Sequence, residues 1–228
     1  GVPVDRIRVI HRGVDIDKFD PEKVSAERVI KLATDWRLPD GVPIIMLPGR
    51  LTRWKGQLVL IDAIAALGRT DIRCLLVGSN QGREDYRREL EKKIMSHNLE
   101  EVVRIVDHCD DMPAAYKLTD LVISASTDPE AFGRVVCEGQ AMGRPVIASD
   151  HGGSRETILP GITGWLTPSG DSAALAHAIE TALKLDHAAR TKLAQTAIKH
   201  IRKNFSKTQM CDKTLDVYNE VLAARGRA

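Results

Sequence analysis

Three stretches of the sequence gather residue types that bind anions and hydroxyl groups. The first is Gly49-Arg50-Leu51-Thr52-Arg53-Trp54-Lys55-Gly56, with three cations between a short apolar run and an amphipathic stretch. At a strand-to-helix turn, free N–H groups and the helix dipole favour an anion, and Arg and Lys add full positive charges. The same residues would also suit a solvated basic turn. The spacing is not a P-loop, because Lys55 is followed by Gly56 rather than Ser or Thr, and it is not GxGxxG. The second stretch runs from Asp128 to Glu138. Glu130 precedes a helix start and Glu138 lies two turns into that helix. Carboxylates accept hydrogen bonds from paired hydroxyls, such as a ribose diol or a hexose edge, and Gly133 allows close backbone approach. Glu130 could equally compensate the helix dipole. Glu138 sits beside Val135, Val136 and Cys137, so its helix is mostly buried and the carboxylate needs a partner. The third stretch, Ser149 to Glu156, carries Gly152-Gly153 between a strand and a helix, a tight turn against either a ligand or another loop.

Other polar groups carry less. Asp15-Ile16-Asp17 has the DxD spacing of some metal-holding transferases, but it lies in an opening turn far from the other loops, so a turn is the better reading. His108-Cys109-Asp110-Asp111 offers ligand atoms with no second cluster to complete a shell. Cysteines 74, 109, 137 and 211 form no CxxC pair and fit a reducing compartment better than a disulfide framework.

The elements that must position these loops alternate. Apolar runs read as strands at 43–48, 72–78, 102–106, 121–124, 145–148 and 164–166. Helical spacing follows at 57–67, 84–97 (a charged, exposed helix), 112–118, 134–142, 154–159, 171–185 and 188–204. Arg6 to Ile10 alternates like a half-exposed strand, Glu22 to Leu38 reads as a helix, and Ser206 is placed to cap a last helix ending near Ala224. This alternation predicts an α/β fold: a Rossmann-like three-layer parallel sheet with helices on both faces, and ligands outside the carboxyl ends of the strands. With 228 residues, 43% hydrophobic and 28% charged, the chain is an ordinary globular one. A net charge of +2 excludes nucleic-acid binding by bulk charge. No apolar run reaches the ~20 residues of a membrane span.

With the motifs in hand, the chain resembles the C-terminal domain of a retaining GT-B glycosyltransferase of family 4 (glycosyl transferases group 1). The resemblance rests on Ile7 to Asp15 with Phe19-Asp20-Pro21, on Gly49-Arg50-Leu51 followed by Lys55-Gly56, and on Glu130-Ala131-Phe132-Gly133 with Glu138. Gly143 to Ala148 with Gly152, Gly153 and Glu156 completes it. Where the family often has Asn before the first glycine, this chain has Arg12.

The resemblance implies a nucleoside-diphosphate sugar as donor substrate, no further cofactor and no metal requirement. Arg50 and Lys55 would hold the diphosphate, Glu138 the ribose and Glu130 the hexose. Backbone groups around Gly49, Ala131, Phe132, Gly133 and Val135 would touch sugar and phosphate, and His108, Cys109 and Met112 would border the base. It further implies a donor-binding domain over 1–205, with 1–20 leading in from an absent N-terminal domain, and a helix over 206–228 crossing back to that domain. Met210, Leu215, Tyr218 and Leu222 would then be partly exposed. The chain begins with Gly1 and is expected to be part of a longer, cytoplasmic protein. Any contact with the inner membrane face would be carried by the absent domain. The alternatives at this stage are a GT-B-like sugar-nucleotide epimerase or phosphorylase, and a non-catalytic nucleotide-sugar-binding module.

Overall fold

In a computed structural model of the protein, which describes residues 1–225, the strands are β1 (Ile44–Pro48), β2 (Arg73–Val77), β3 (Val103–Val106), β4 (Leu121–Ser124), β5 (Val146–Ser149) and β6 (Trp165–Thr167). They form one parallel sheet in the order β3-β2-β1-β4-β5-β6. Strand side chains alternate between two apolar layers. Ile45 and Leu47, Cys74 and Leu76, and Leu121 and Ile123 enter one layer. Ile44 and Met46, Leu75 and Val77, and Val122 enter the other. Burial on both faces explains why these strands read as unbroken apolar runs.

Helices α2 (Gln57–Leu67), α3 (Glu84–Ser96) and α7 (Ser172–Leu183) cover the first face. Helices α1 (Ala26–Asp35), α4 (Met112–Leu118), α5 (Arg134–Ala141) and α8 (His187–Asn204) cover the second. A single turn, α6 (Ser154–Thr157), follows β5, and α9 (Lys207–Arg225) closes the chain. The chain steps outward from β1 through β2 to β3, then returns to place β4 against the other side of β1. The loops after β1 and β4 therefore diverge to opposite faces, and a crevice opens between them.

Three expectations are corrected. Residues 6–10 are not a strand: Val4–Arg6 is a 3₁₀ turn, and Ile7 and Val9 are exposed with no strand beside them among the described residues. Alternation makes a strand only where a partner lies beside it. The helix read over 22–38 is split. A 3₁₀ turn at Pro21–Lys23, capped by Asp20, leads to buried Val24, Ser25 caps α1, and α1 ends before Arg37 in the left-handed region. Helix α3 is not exposed all round, because Tyr86, Leu90 and Ile94 are buried. Elsewhere the elements differ from expectation by a residue or two, α6 being the shortest. Ser206 does cap α9, its hydroxyl accepting from the Gln209 N–H at 3.2 Å. The expected terminal span runs to 228, and 226–228 lie outside the described residues. On α9, Leu215, Tyr218 and Leu222 are exposed and Met210 half-buried. No helix among the described residues is long and apolar enough to cross a membrane.

Candidate functional site

The crevice between the β1 and β4 loops is a cleft of about 560 Å³. Gly49, Arg50, Lys55, His108, Cys109, Met112, Glu130, Ala131, Phe132, Gly133, Val135 and Glu138 all line it. So do residues that the sequence reading did not assign to it, notably Arg12, Trp54, Tyr116 and Arg134.

The β1 wall is held by backbone. Gly49 N–H donates to the Val77 carbonyl at 2.9 Å and Leu51 N–H to that of Ser79 at 3.0 Å. Arg50's own carbonyl accepts from Gln57 Nε2 at 2.9 Å, and the Tyr86 hydroxyl donates to Gln57 Oε1 at 3.0 Å. Burial pushes the Tyr86 phenol up to about 12, so it remains a neutral donor. Gly56 starts α2 at φ +73°, where a Cβ would stand 1.8 Å from the Ala125 carbonyl oxygen; only glycine fits.

The β4 wall holds the carboxylates. Lys55 Nζ lies 2.8 Å from Glu130 Oε1, and both side chains are largely buried. Ser126 Oγ donates to the same oxygen. Glu130 Oε2 has no protein partner among the described residues. Lys55 also sits 4.5 Å from the centre of the Trp54 ring. Glu138 is 7% exposed and finds the partners its burial demands: the Tyr116 hydroxyl donates to Oε2 at 2.9 Å, and Arg134 Nη2 to Oε1 at 3.1 Å. Burial and the neighbouring carboxylate hold the Tyr116 phenol well above its usual range. Each carboxylate keeps acceptor capacity for a ligand hydroxyl through its Oε2.

Gly152 and Gly153 do not line the cleft. They buttress it: Gly153 N–H donates to the Glu130 carbonyl at 2.8 Å, and a Cβ on Gly153 would come within 2.6 Å of Phe132 Cα. That answers the open question about this turn in favour of another loop. His151, beside them, hydrogen-bonds the Ser126 carbonyl through Nε2 at 2.8 Å.

The third side is the loop before α4. Asp111 caps α4 through the Ala114 N–H and is gripped by Arg28 Nε at 2.8 Å, which sets Cys109 and Met112 against the cleft. Cys109 is buried, and that raises its thiol pKa. Asp15 and Asp17 lie elsewhere; Asp15 Oδ1 accepts from the N–H groups of Asp17 and Lys18 as a turn. Among the described residues no three His, Cys, Asp or Glu side chains cluster as a metal shell.

Signals for the unassigned residues were partly present. Arg134 stands four residues before Glu138, the helical pairing distance. Tyr116, Gln57 and Tyr86 join the site only through the fold.

Chemically, the cleft offers an anion the guanidinium of Arg50, the ammonium of Lys55 and the backbone around Gly133 and Val135 where α5 begins, and offers diols two carboxylates. The sequence model described as glycosyl transferases group 1 matches residues 30–200. The D-inositol 3-phosphate glycosyltransferase of Xylanimonas cellulosilytica is 31% identical over 236 residues, covering 99% of this chain and 54% of that protein. The chain thus spans about half the length of the curated relatives it matches. A glycosyltransferase structure from Rickettsia africae superposes with a TM-score of 0.95 at 37% identity, covering 97% of this chain and 59% of that one. The Anabaena HepE structure, solved in complex with UDP-glucose, superposes with a TM-score of 0.87 at 30% identity, covering 96% of this chain and 59% of that one.

Proposed function

The chain belongs to the glycosyl transferases group 1 family, and on that basis we propose that it is the donor-binding half of a retaining glycosyltransferase, which moves a hexose-type sugar from a nucleoside diphosphate to an acceptor. The observation that carries this reading is the arrangement of charge at the β1/β4 crevice. Arg50 makes no ion pair among the described residues and faces the same cleft as Lys55, Glu130 and Glu138. Relatives about twice as long support a second, N-terminal domain that completes the cleft and brings the acceptor. With half the cleft, this chain binds donor but does not turn it over.

The residues then divide the work. The diphosphate lies against Arg50 and Lys55; the Lys55 ammonium has three donors, and Glu130 takes one. Glu138 accepts from the ribose hydroxyls, and Glu130, through its free Oε2, from a hexose hydroxyl. Gly49, Ala131, Phe132, Gly133 and Val135 shape the sugar and phosphate contacts, and His108, Cys109 and Met112 border the base. As the anomeric C–O bond breaks, its electron pair leaves on the diphosphate, and the fixed cations stabilise that charge. No metal is needed for this stabilisation and no covalent enzyme intermediate is formed. The acceptor oxygen attaches on the face the diphosphate leaves, and its proton passes to the departing phosphate oxygen. The reaction is placed in the cytoplasm; any membrane contact is made by the N-terminal domain.

The test is a thermal and calorimetric titration of this chain with UDP, GDP and ADP. A nucleotide at ~100 times its Kd stabilises the fold by about 2.7 kcal/mol, which for a domain of this size is about 5–10 °C in Tm. Glu138→Ala should lower the affinity at least about tenfold, the scale of a lost hydrogen bond to a charged group. Undiminished binding by the variant would remove Glu138 from the ribose, and no binding of any of the three by the parent chain would overturn the donor-site reading.

A further inference from the structure

Arg12 lines the cleft, although it lies before the first strand and far in sequence from the other lining residues. Its position is fixed by its neighbours. The Val14 N–H donates to the Phe205 carbonyl at 2.8 Å, and the Lys207 N–H to the Val14 carbonyl at 2.8 Å. Gly13 lies so close to Ser206 that a Cβ there would stand 2.3 Å from the Ser206 carbonyl oxygen. On the other side of Arg12, His11 Nδ1 meets Glu156 Oε2 at 3.0 Å, and its ring packs edge-on against Phe205 at 5.5 Å. Phe205 in turn packs against Phe132 of the β4 wall, ring centres 6.1 Å apart. Both neighbours of Arg12 are thus tied down, and Arg12 itself is held at the Phe132 end of the cleft.

Lys55 is paired with Glu130, and Arg134 with Glu138. Among the described residues Arg50 and Arg12 have no carboxylate within ion-pair distance, and Arg12 is exposed to the cleft's solvent. Two unpaired guanidiniums remain, one on the β1 wall and one beside the β4 wall. Guanidinium is the side chain best matched to phosphate oxygens, through paired N–H donors.

We propose that Arg12 is a second phosphate-binding residue of the donor site, closing on the sugar-proximal phosphate from the side opposite Arg50. The inference rests on the donor-site reading above and deepens it. It gives a role to the one motif position where the chain departs from its family's frequent Asn, and it makes phosphate affinity depend on the segment that leads into the domain.

The test measures Kd by calorimetry for the nucleoside diphosphate and monophosphate of whichever base the parent chain binds, UDP with UMP, GDP with GMP or ADP with AMP. The chains compared are the parent, Arg12→Gln, Arg12→Lys and Arg50→Gln. Arg12→Gln is expected to weaken the diphosphate about tenfold, and the monophosphate much less, so the ratio of the two Kd values collapses toward one. Arg12→Lys should recover part of the ratio, and the salt dependence of diphosphate binding should be shallower in Arg12→Gln. Arg12 is exposed, so the fold should be kept, and the melting temperature of the free variant checks this. A diphosphate Kd within twofold of the parent in Arg12→Gln overturns the inference, as does an equal loss for both nucleotides. If Arg50→Gln weakens the diphosphate while Arg12→Gln does not, the donor site stands and only the role of Arg12 falls. If neither variant changes it, or the parent binds none of these nucleotides, both readings fall.

Discussion

The cleft and the junction beside it are built from opposite materials. In the cleft, charged side chains answer one another: Lys55 with Glu130, Arg134 with Glu138, and Tyr116 donating to a carboxylate. At the junction, where the lead-in segment meets the turn between α8 and α9, the buried contacts are backbone hydrogen bonds and aromatic edges, with half-exposed pairs of His11 with Glu156 and Lys207 with Asp15 around them: Val14 with Phe205 and Lys207, and His11, His200 and Phe132 around the Phe205 ring. The first kind of contact can be exchanged for a ligand's hydroxyls and phosphates, because each group keeps unused donors or acceptors. The second kind cannot, and it fixes position. A change in the cleft should therefore be read in affinity and turnover with the melting temperature kept, and a change in the junction first in the melting temperature, reaching affinity only through Arg12.

The strongest break is Arg50→Ala. In the longer protein proposed above it should lower turnover by about 10²–10³-fold, the scale for losing one donor to a developing anion. The melting temperature of this chain should barely move, because the arginine's head group makes no ion pair among the described residues. Near-normal turnover would take Arg50 out of the site. Gly13→Ala should do the reverse. Its Cβ has no room against the Ser206 carbonyl, so the backbone bridge must open, at about 1–3 kcal/mol of stability. Chemical denaturation should show a lower midpoint, with Glu138-dependent nucleotide binding still present; an unchanged midpoint would mean that the junction yields more easily than its contacts imply.

The smallest effect is titration at the junction. Burial holds His200 below the usual imidazole pKa of about 6.5. The folded state therefore keeps it neutral where the unfolded chain takes up a proton. Stability from this group is complete above about pH 6.5 and is lost as the pH falls toward the folded-state pKa. His200→Gln should shrink the parent's drop in Tm between pH 7 and pH 5.5 by about 1–2 °C. Parallel curves for parent and variant would show that His200 contributes nothing to acid sensitivity.

Much of the framework was legible because it is local. Leu121–Ser124 and Met112–Leu118 read residue for residue, one an apolar run bounded by polar residues, the other a helix opened by Asp111 and Pro113. The loops after the strands could be singled out because parallel sheets place ligands there; one cleft gathers the residues named from the β1 and β4 loops, while the Gly152-Gly153 turn stands behind it. What escaped was non-local. Alternation at residues 6–10 suggested a strand, yet nothing in those residues says that no partner lies alongside. The burial of Glu138 could be argued from Val135, Val136 and Cys137, but its contact with Tyr116 spans 22 positions and exists only once α4 and α5 pack on the same face. Gln57 and Tyr86, which together hold the Arg50 carbonyl, carry no mark in sequence. Arg12 was visible as a departure from a motif and became interpretable only when the junction placed it.

That junction also decides how force would pass through the molecule. The chain comes into the sheet domain at Val14 and leaves it at Ser206, and the two points are laced side by side by a pair of backbone hydrogen bonds. A pull applied through the lead-in segment against α9 is taken up by that lacing before it reaches any strand of the sheet. Such a pull meets Arg12 at the rim of the cleft first, while the β1 and β4 walls stay behind the lacing.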